Sequence, residues 1–448
     1  MEQYSNSKTH HSVDYFGILY FIIGVPWLFL MLTSTRVFSS IKAIMLIMLT
    51  IIAALELLLK NIKMEKNHLI FIICYVAYNS LLILIGLLSG FAFSLSQDFS
   101  LIQYYILTPV CVLCISYALA KNNYRIQVLW RIVEYLTLLL CVLDVLKVGA
   151  FAVNINIPFL DFIVIASDNI GETLTLRVAN EASFMFLSPI FIFLLFNVNN
   201  KSKRNIILYG LITFLSIIYA FISGRKMLEI ILALAGMFSV AYRIYKCIKC
   251  GSVKELKKFL LKLFALFVVF VIATAIVSNI LGIDNIIQKV WNTLKVGFSS
   301  QSDGISKRTE NSLALLKLWT ESPIWGNGLQ SYARDSLASD TTLWSYEVFF
   351  VAYLAQTGLI GVVMLMGAML GIIKPLCINK ESKNRDIPFA IAVGFVSFVI
   401  CGATNPMLYY AWPWIISMAF GINNKKEIVQ IFKEEHFYKQ EILVVREA

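Results

Sequence analysis

The chain has 448 residues, 59% of them hydrophobic and only 15% charged, with 38 Lys+Arg against 27 Asp+Glu and a net charge of +11. A soluble chain carries roughly 25% charged residues, and the mean hydropathy here is +0.76. That leaves too little polar material to cover a water-facing surface. It excludes a secreted, fibrous, disordered or nucleic-acid-packing protein and predicts an all-α polytopic membrane protein, a single integral membrane domain over 1–448.

About twenty apolar residues cross a bilayer as helix, and runs of that length predict about twelve transmembrane helices. They fall near 15–33, 39–59, 68–90, 101–120, 126–147, 182–199, 205–223, 226–245, 259–281, 344–373, 387–404 and 407–422. The first run lacks a small-residue cleavage site and reads as a span rather than a signal peptide. The run 344–373 is long enough to begin above the membrane. Basic residues mark cytoplasmic loops, and every second connection is basic: Lys60, Lys63 and Lys66; Lys121 and Arg125; Lys201, Lys203 and Arg204; Lys246 to Lys258; Lys374 to Arg385. The tail 423–448 adds Lys425, Lys426, Lys433 and Lys439. Both termini are therefore expected in the cytoplasm. The basic loop Lys246–Lys258 is expected to touch anionic lipid headgroups.

Eight cysteines do not form a disulfide framework. Cys74, Cys111, Cys114, Cys141 and Cys401 lie in apolar runs and read as small buried hydrophobes. Cys247 and Cys250 form a C-x-x-C with no second pair, which argues against a metal site. Two outer segments, 149–181 and 282–343, exceed the length of simple connectors. In the second, Arg308 to Thr320 carries Leu313, Leu315, Leu316 and Trp319 at helical spacing, and Pro323 ends the run. Gly326-Asn327-Gly328 then permits a tight turn. This predicts an amphipathic helix on the outer membrane face, followed by a turn.

The charge rule is broken at Arg177, at Arg225 and Lys226, and at Lys307 and Arg308, all predicted on the outer side. An Arg at the bilayer centre costs roughly 2.5–3.5 kcal/mol on insertion scales, and less near the interface. Two readings stand for each site. Arg177 with Glu181, and Arg225 with Glu229, are four apart and neutralise one another if helical. Alternatively, the outer cations together bind an anion, and the planar guanidinium fork suits phosphate. Asp144 and Lys147, three apart, are expected to pair. Trp325, Trp344, Trp412 and Trp414 fall near interfaces, where aromatic belts form, although they could also stack on sugars. Asp161, Asp168 and Glu172 read as solvated loop charge, with sugar binding as the other option.

Four segments of the chain resemble the bacterial O-antigen polymerase family (Wzy-type), which is related to the O-antigen ligases. They are Arg177-Val-Ala-Asn-Glu181-Ala-Ser183; Ser223-Gly-Arg225; Arg308 through Pro323 to Gly326-Asn-Gly328-Leu-Gln-Ser-Tyr332; and Glu347 with Leu354-Ala-Gln-Thr-Gly358-Leu-Ile-Gly361. Ligases usually carry a histidine where Glu347 stands. The histidines here are His10, His11, His68 and His436, none on the predicted outer side.

The resemblance implies a GT-C-like helical fold in the bacterial inner membrane, with a large periplasmic loop containing the amphipathic helix. It implies a metal-independent glycosyltransferase, without cofactor, that joins undecaprenyl-diphosphate-linked glycans at the periplasmic face. Its partners are those lipid-linked glycans and the bilayer, with a chain-length regulator protein left open and no nucleic acid. The expected catalytic residues are Arg177 and Arg225, clamping the diphosphate, and Glu347, as base or acceptor-positioning group. Arg308, Glu181, Lys226, Gly326, Gly328 and Tyr332 are expected to bind substrate. A mere ion-pair role for Glu347 stays open. So do two rival functions, an O-antigen ligase and a lipid-linked oligosaccharide flippase; a transporter would favour repeats and midplane sites.

Overall fold

The computed structural model describes residues 14–33, 38–89, 91, 95–152, 155, 157–161, 163, 165–170, 173–178, 180–197, 202–223, 225–261, 303–337, 342–378 and 386–426. Apolar stretches become helices because every backbone polar group in lipid must bond within its own segment. They are α1 (Tyr15–Thr33), α2 (Ser39–Leu59), α3 (Lys66–Leu88), α4 (Leu95–Ile102), α5 (Thr108–Leu119), α6 (Asn123–Ala152), α7 (Glu181–Asn197), α8 (Lys203–Ser223) and α9 (Lys226–Lys249). A π-helical turn, Gln103–Leu107, joins α4 to α5. After them come α10 (253–261), α11 (Asp303–Glu321), α12 (Phe349–Cys377), α13 (Asp386–Gly402) and α14 (411–426).

Eight of the described helices are long and apolar enough to cross a membrane, and α7 and α13 are shorter apolar helices. The chain is a polytopic membrane protein. The run predicted at 259–281 lies almost wholly outside the described residues, as do 427–448 of the tail. One prediction needs correction: the segment 149–181 is not purely loop. Ile165–Ile170 (β1) and Thr173–Val178 (β2) form an antiparallel hairpin, with Ala166 opposite Arg177. The alternation in Thr-Leu-Thr-Leu-Arg-Val has the period of a strand.

The middle of the bundle is α7. Its residues from Glu181 to Leu194 are all buried, and a helix apolar all round belongs inside. It packs on α8, α9 and α13. By contrast, α2 leaves Ile44, Ile51, Leu55 and Leu58 exposed, as a lipid-facing helix must. Cys111, Cys141 and Cys401 are buried as expected, while Cys114 is half-buried and Cys74 exposed.

Alternate connections gather at opposite ends. At the basic end Arg125, 1% exposed, donates from Nε to Asp14 Oδ2 at 2.7 Å and from Nη1 to Glu56 Oε2 at 2.8 Å. Buried charges survive only when paired. The Arg125 hydrogen bond holds the Asp14 carboxyl below the usual carboxylate range. Lys425 meets Glu65 at 2.6 Å and Lys246 meets Asp386 at 3.4 Å. At the other end Ser183 Oγ donates to the Leu32 carbonyl at 3.0 Å, and Phe91 meets Tyr332 edge-on at 5.5 Å. Among the described residues, these parts of the predicted even and odd connections thus fall at two ends of one bundle. The long segments share the second end.

Candidate active site

The site region at the long-segment end is built on a break in α12. Gly358 has φ +63° and ψ −171° inside that helix, so the carbonyls before it and the amides after it lose their helical partners. The segment after α11 takes those places. Asn327 and Gly328 N–H donate to the Ala355 and Gln356 carbonyls at 3.2 and 3.0 Å. Leu359 and Ile360 N–H donate to the Pro323 and Ile324 carbonyls at 3.0 and 3.3 Å. The Tyr78 hydroxyl donates to the Thr357 carbonyl at 2.7 Å and lies 3.0 Å from that of Trp325. Non-helical backbone at membrane depth is tolerated where protein satisfies it in this way.

Backbone contact this close leaves no room for side chains. Gly326 has φ +79°, and a Cβ there would stand 2.3 Å from the Gln356 carbonyl oxygen. Gly328 has φ +99°, and its Cβ would stand 2.5 Å from the Gly86 backbone. Both glycines of the predicted turn are therefore buried parts of a clasp between α3, α11 and α12. Tyr332 is half-buried against Phe91. The amphipathic helix α11 is present but starts earlier, at Asp303. Its buried face also differs from the predicted stripe. Leu315 and Leu318 pack on Ala333, Tyr346, Ala352 and Ala355, while Leu313 and Leu316 are exposed. The partner surface is another helix, and it selects the face.

On this clasp Arg308, from α11, meets Glu347, just ahead of α12. Arg308 Nε and Nη2 each lie 2.7 Å from Glu347 Oε2. Both side chains are open, 42% and 60% exposed. Glu347 is therefore an open side chain rather than one enclosed by apolar helix ends. Its Oε1 has no partner among the described residues.

The second pair joins α7 to α9. Arg225 stands in extended conformation just before α9, and its Nε donates to Glu181 Oε1 at 2.5 Å. The guanidinium is 31% exposed and the carboxylate 8%. Glu181 opens α7, where the helix dipole favours a negative charge. This corrects the predicted pairing of Arg225 with Glu229, and the shared helix expected for Arg177 and Glu181. Arg177 lies on β2, not on a helix with Glu181. Arg225 turns to Glu181, forty-four residues away, rather than to Glu229. The backbone of Arg177 is in the same corner, because β2 ends three residues before α7 and packs against α8. The side chain of Arg177 lies outside the described residues. Lys226, the first residue of α9, is half-buried.

The predicted residues thus form an Arg225–Glu181 pair, with the Arg177 backbone beside it, and an Arg308–Glu347 pair. Beneath the first, in the core, Asn180 Nδ2 donates to Asp144 Oδ2 at 2.7 Å. Lys147 instead pairs with Asp161 at 2.9 Å, so the expected Asp144–Lys147 pair is not formed. Sequence spacing gave no sign of the Asp144–Asn180 bond, which joins two elements thirty-six residues apart. Trp344 and Trp412, read as belt residues, are core residues at 4% and 1% exposed. Asp168 is in register with Thr175 in the hairpin backbone, and Glu172 lies outside the described residues.

A cavity of about 330 Å³ runs between α3, α5, α12 and α14, and no predicted site residue lines it. Among the described residues no cluster of three His, Cys, Asp or Glu side chains could hold a metal ion. His68 is at the basic end, with Nδ1 2.9 Å from the Tyr117 hydroxyl; His10, His11 and His436 lie outside the described residues. Compared with protein-family models and with curated proteins, the chain matches none.

Proposed function

We propose that the protein is an O-antigen polymerase, a glycosyltransferase of about twelve spans with a GT-C-like fold. It joins undecaprenyl-diphosphate-linked repeat units at the periplasmic face of the bacterial inner membrane, with both termini in the cytoplasm. The observation that carries the reading is that two arginine–carboxylate pairs stand at the end of the bundle opposite the basic connections. Their residues come from the four segments that resemble the polymerase family.

In this reading the acceptor hydroxyl oxygen attacks the anomeric carbon of the donor glycan. The bond from that carbon to the diphosphate oxygen breaks, and undecaprenyl diphosphate leaves. Guanidinium groups supply the positive charge that many transferases take from a divalent ion. Arg225 spends its Nε on Glu181 and keeps its Nη donors for the leaving diphosphate, with Arg177 beside it. Arg308 assists from α11. The hydroxyl proton passes to Glu347, whose Oε1 has no partner among the described residues. The exposed Arg308–Glu347 pair is worth about 0–1 kcal/mol, so substrate can open it cheaply.

The test is deletion of the gene followed by a lipopolysaccharide gel. A ladder that collapses to core plus one repeat unit supports polymerisation. Collapse to bare core points to the ligase or the flippase, and an unchanged ladder rejects all three.

A further inference from the structure

The cavity between α3, α5, α12 and α14 has no task in the chemistry above. Its wall is almost wholly apolar and includes Phe71, Val112, Leu365, Ala368 and Met418, with no Asp or Glu anywhere in it. Helix bundles pack with few spaces larger than a water molecule. At about 330 Å³ this one has instead the size of a small-ligand site. One end is shut. There the Tyr105 and Tyr409 hydroxyls lie 3.1 Å apart, and Tyr353 stacks on Tyr105 at 6.1 Å. Whatever enters must therefore come from the other end, at the basic face of the bundle.

That end is formed by Asn67 and His68 at the start of α3, Pro375 on α12 and Ile422 on α14. Asn67 is exposed and His68 half-buried. Below the break at Gly358, α12 is regular, and from Leu365 to Pro375 it rises roughly 15 Å at ~1.5 Å per residue. The hydrocarbon core of a bilayer is ~30 Å thick, so an acyl tail anchored in one leaflet occupies about 15 Å of it. The depth matches a tail that enters from the basic face and stops below the tyrosines.

The rim supplies the charge for a headgroup. Lys66 directly precedes Asn67, and Lys374 directly precedes Pro375; both are exposed, and neither makes an ion pair among the described residues. The neighbouring lysines are already engaged. Lys425 meets Glu65 at 2.6 Å, and Lys426 donates to the Ala120 carbonyl at 2.8 Å. His68 has its Nδ1 at the Tyr117 hydroxyl and keeps Nε2, while Asn67 adds an amide. We propose that the cavity seats one acyl tail of an anionic phospholipid from the leaflet at the basic end, with its phosphate between Lys66 and Lys374. Basic residues mark this whole end of the bundle, and it is the place of these two at the rim that joins charge to cavity. The site does not depend on the proposed function.

The test offers the full-length protein in detergent an equal mixture of phosphatidylglycerol and phosphatidylethanolamine with the same tails, and reads retention by native mass spectrometry. Wild type is expected to keep phosphatidylglycerol in preference. Excess glycerol 3-phosphate, an anion of the same kind without a tail, is expected not to displace it. Ala368→Phe and Val112→Phe narrow the cavity from α12 and α5 without changing charge, and each is expected to lower retention about tenfold. Lys66→Gln and Lys374→Gln, both at exposed positions, are each expected to lower it about fivefold. Lys203→Gln, at the start of α8 away from the cavity, removes the same charge and is expected to retain the lipid as wild type does. Undiminished retention by the folded cavity variants overturns the assignment. So does displacement by glycerol 3-phosphate, the absence of any preference for phosphatidylglycerol, or an equal loss from Lys203→Gln, which would reduce the effect to general attraction between basic loops and anionic lipid.

Discussion

Arg225 bonds Glu181 at 2.5 Å with the carboxylate 8% exposed, whereas Arg308 meets Glu347 at 2.7 Å with the carboxylate 60% exposed. The residue types are the same, and their surroundings give the two pairs different capacities. The first is fixed between the start of the buried helix α7 and the start of α9. It presents a guanidinium whose direction is set before any ligand arrives, and preorganisation of that kind is what stabilises developing charge. The second is held by exposed side chains on a clasp and can change partner. A transferase needs both properties, a rigid cation for the leaving group and a carboxylate free to meet an incoming hydroxyl.

The largest effect should come from breaking the rigid pair. Arg225→Ala removes the leaving-group cation and is expected to cut chain growth by at least ~10²-fold, the scale of losing one preorganised donor. It also takes from Glu181 one of the groups that it bonds. Stripping a wholly buried pair of one partner costs roughly 3–5 kcal/mol, and partial exposure of Arg225 lowers that figure here. Abundance should therefore fall along with activity. Arg225→Lys separates the two effects: it restores the charge and the protein level but not the two-pronged donor, so the gel ladder stays short. A full ladder from the lysine variant would show that point charge suffices.

Glu347→Gln addresses the open pair. It keeps the shape and loses the basicity, and general-base catalysis is worth about 10²–10⁴-fold. Chain growth is expected to fall by about 10²-fold. Thermal stability should change by no more than the ~1 kcal/mol of an exposed ion pair. Normal polymer from this variant would leave Glu347 only its bond to Arg308. A large drop in melting temperature would show the pair to be structural, contrary to its exposure.

The sequence reading reached the polytopic helical class, and eight of the described helices are long and apolar enough to span, because apolar run length is a local quantity. It also placed Arg225, Glu181, Arg308 and Glu347 at one end. Their pairing was out of reach. The four-apart rule holds only within a helix, and Arg177 lies on a strand while Arg225 precedes its helix. The alternation at Thr173–Val178 was a visible sign of that strand. The clasp was half legible. Gly326 and Gly328 announced a turn, but nothing in Leu354–Gly361 says that α12 breaks there and takes its missing hydrogen bonds from Pro323–Gly328. The cavity leaves no trace at all in one dimension, since it consists of what the helices fail to fill.

The smallest effect concerns what supports the rigid pair from below. Asp144 and Asn180 are both fully buried and share one hydrogen bond, while the Oδ1 atoms of both have no partner. Asn180 immediately precedes Glu181, and its carbonyl accepts the Ser183 N–H at 2.9 Å, so the bond fixes the first turn of α7. Asp144→Ala removes the acceptor and strands the Asn180 amide. An unsatisfied buried group costs about 1–3 kcal/mol, and that loss should appear in a melting curve in detergent. Asp144→Asn keeps an acceptor for Asn180 Nδ2 and adds a donor for its free Oδ1. It is expected to match wild type or exceed it slightly in stability, with chain growth retained. If Asp144→Asn instead abolished growth while melting normally, the buried carboxyl would have a chemical role. The division between a rigid cation above and a structural amide bond below would then fail.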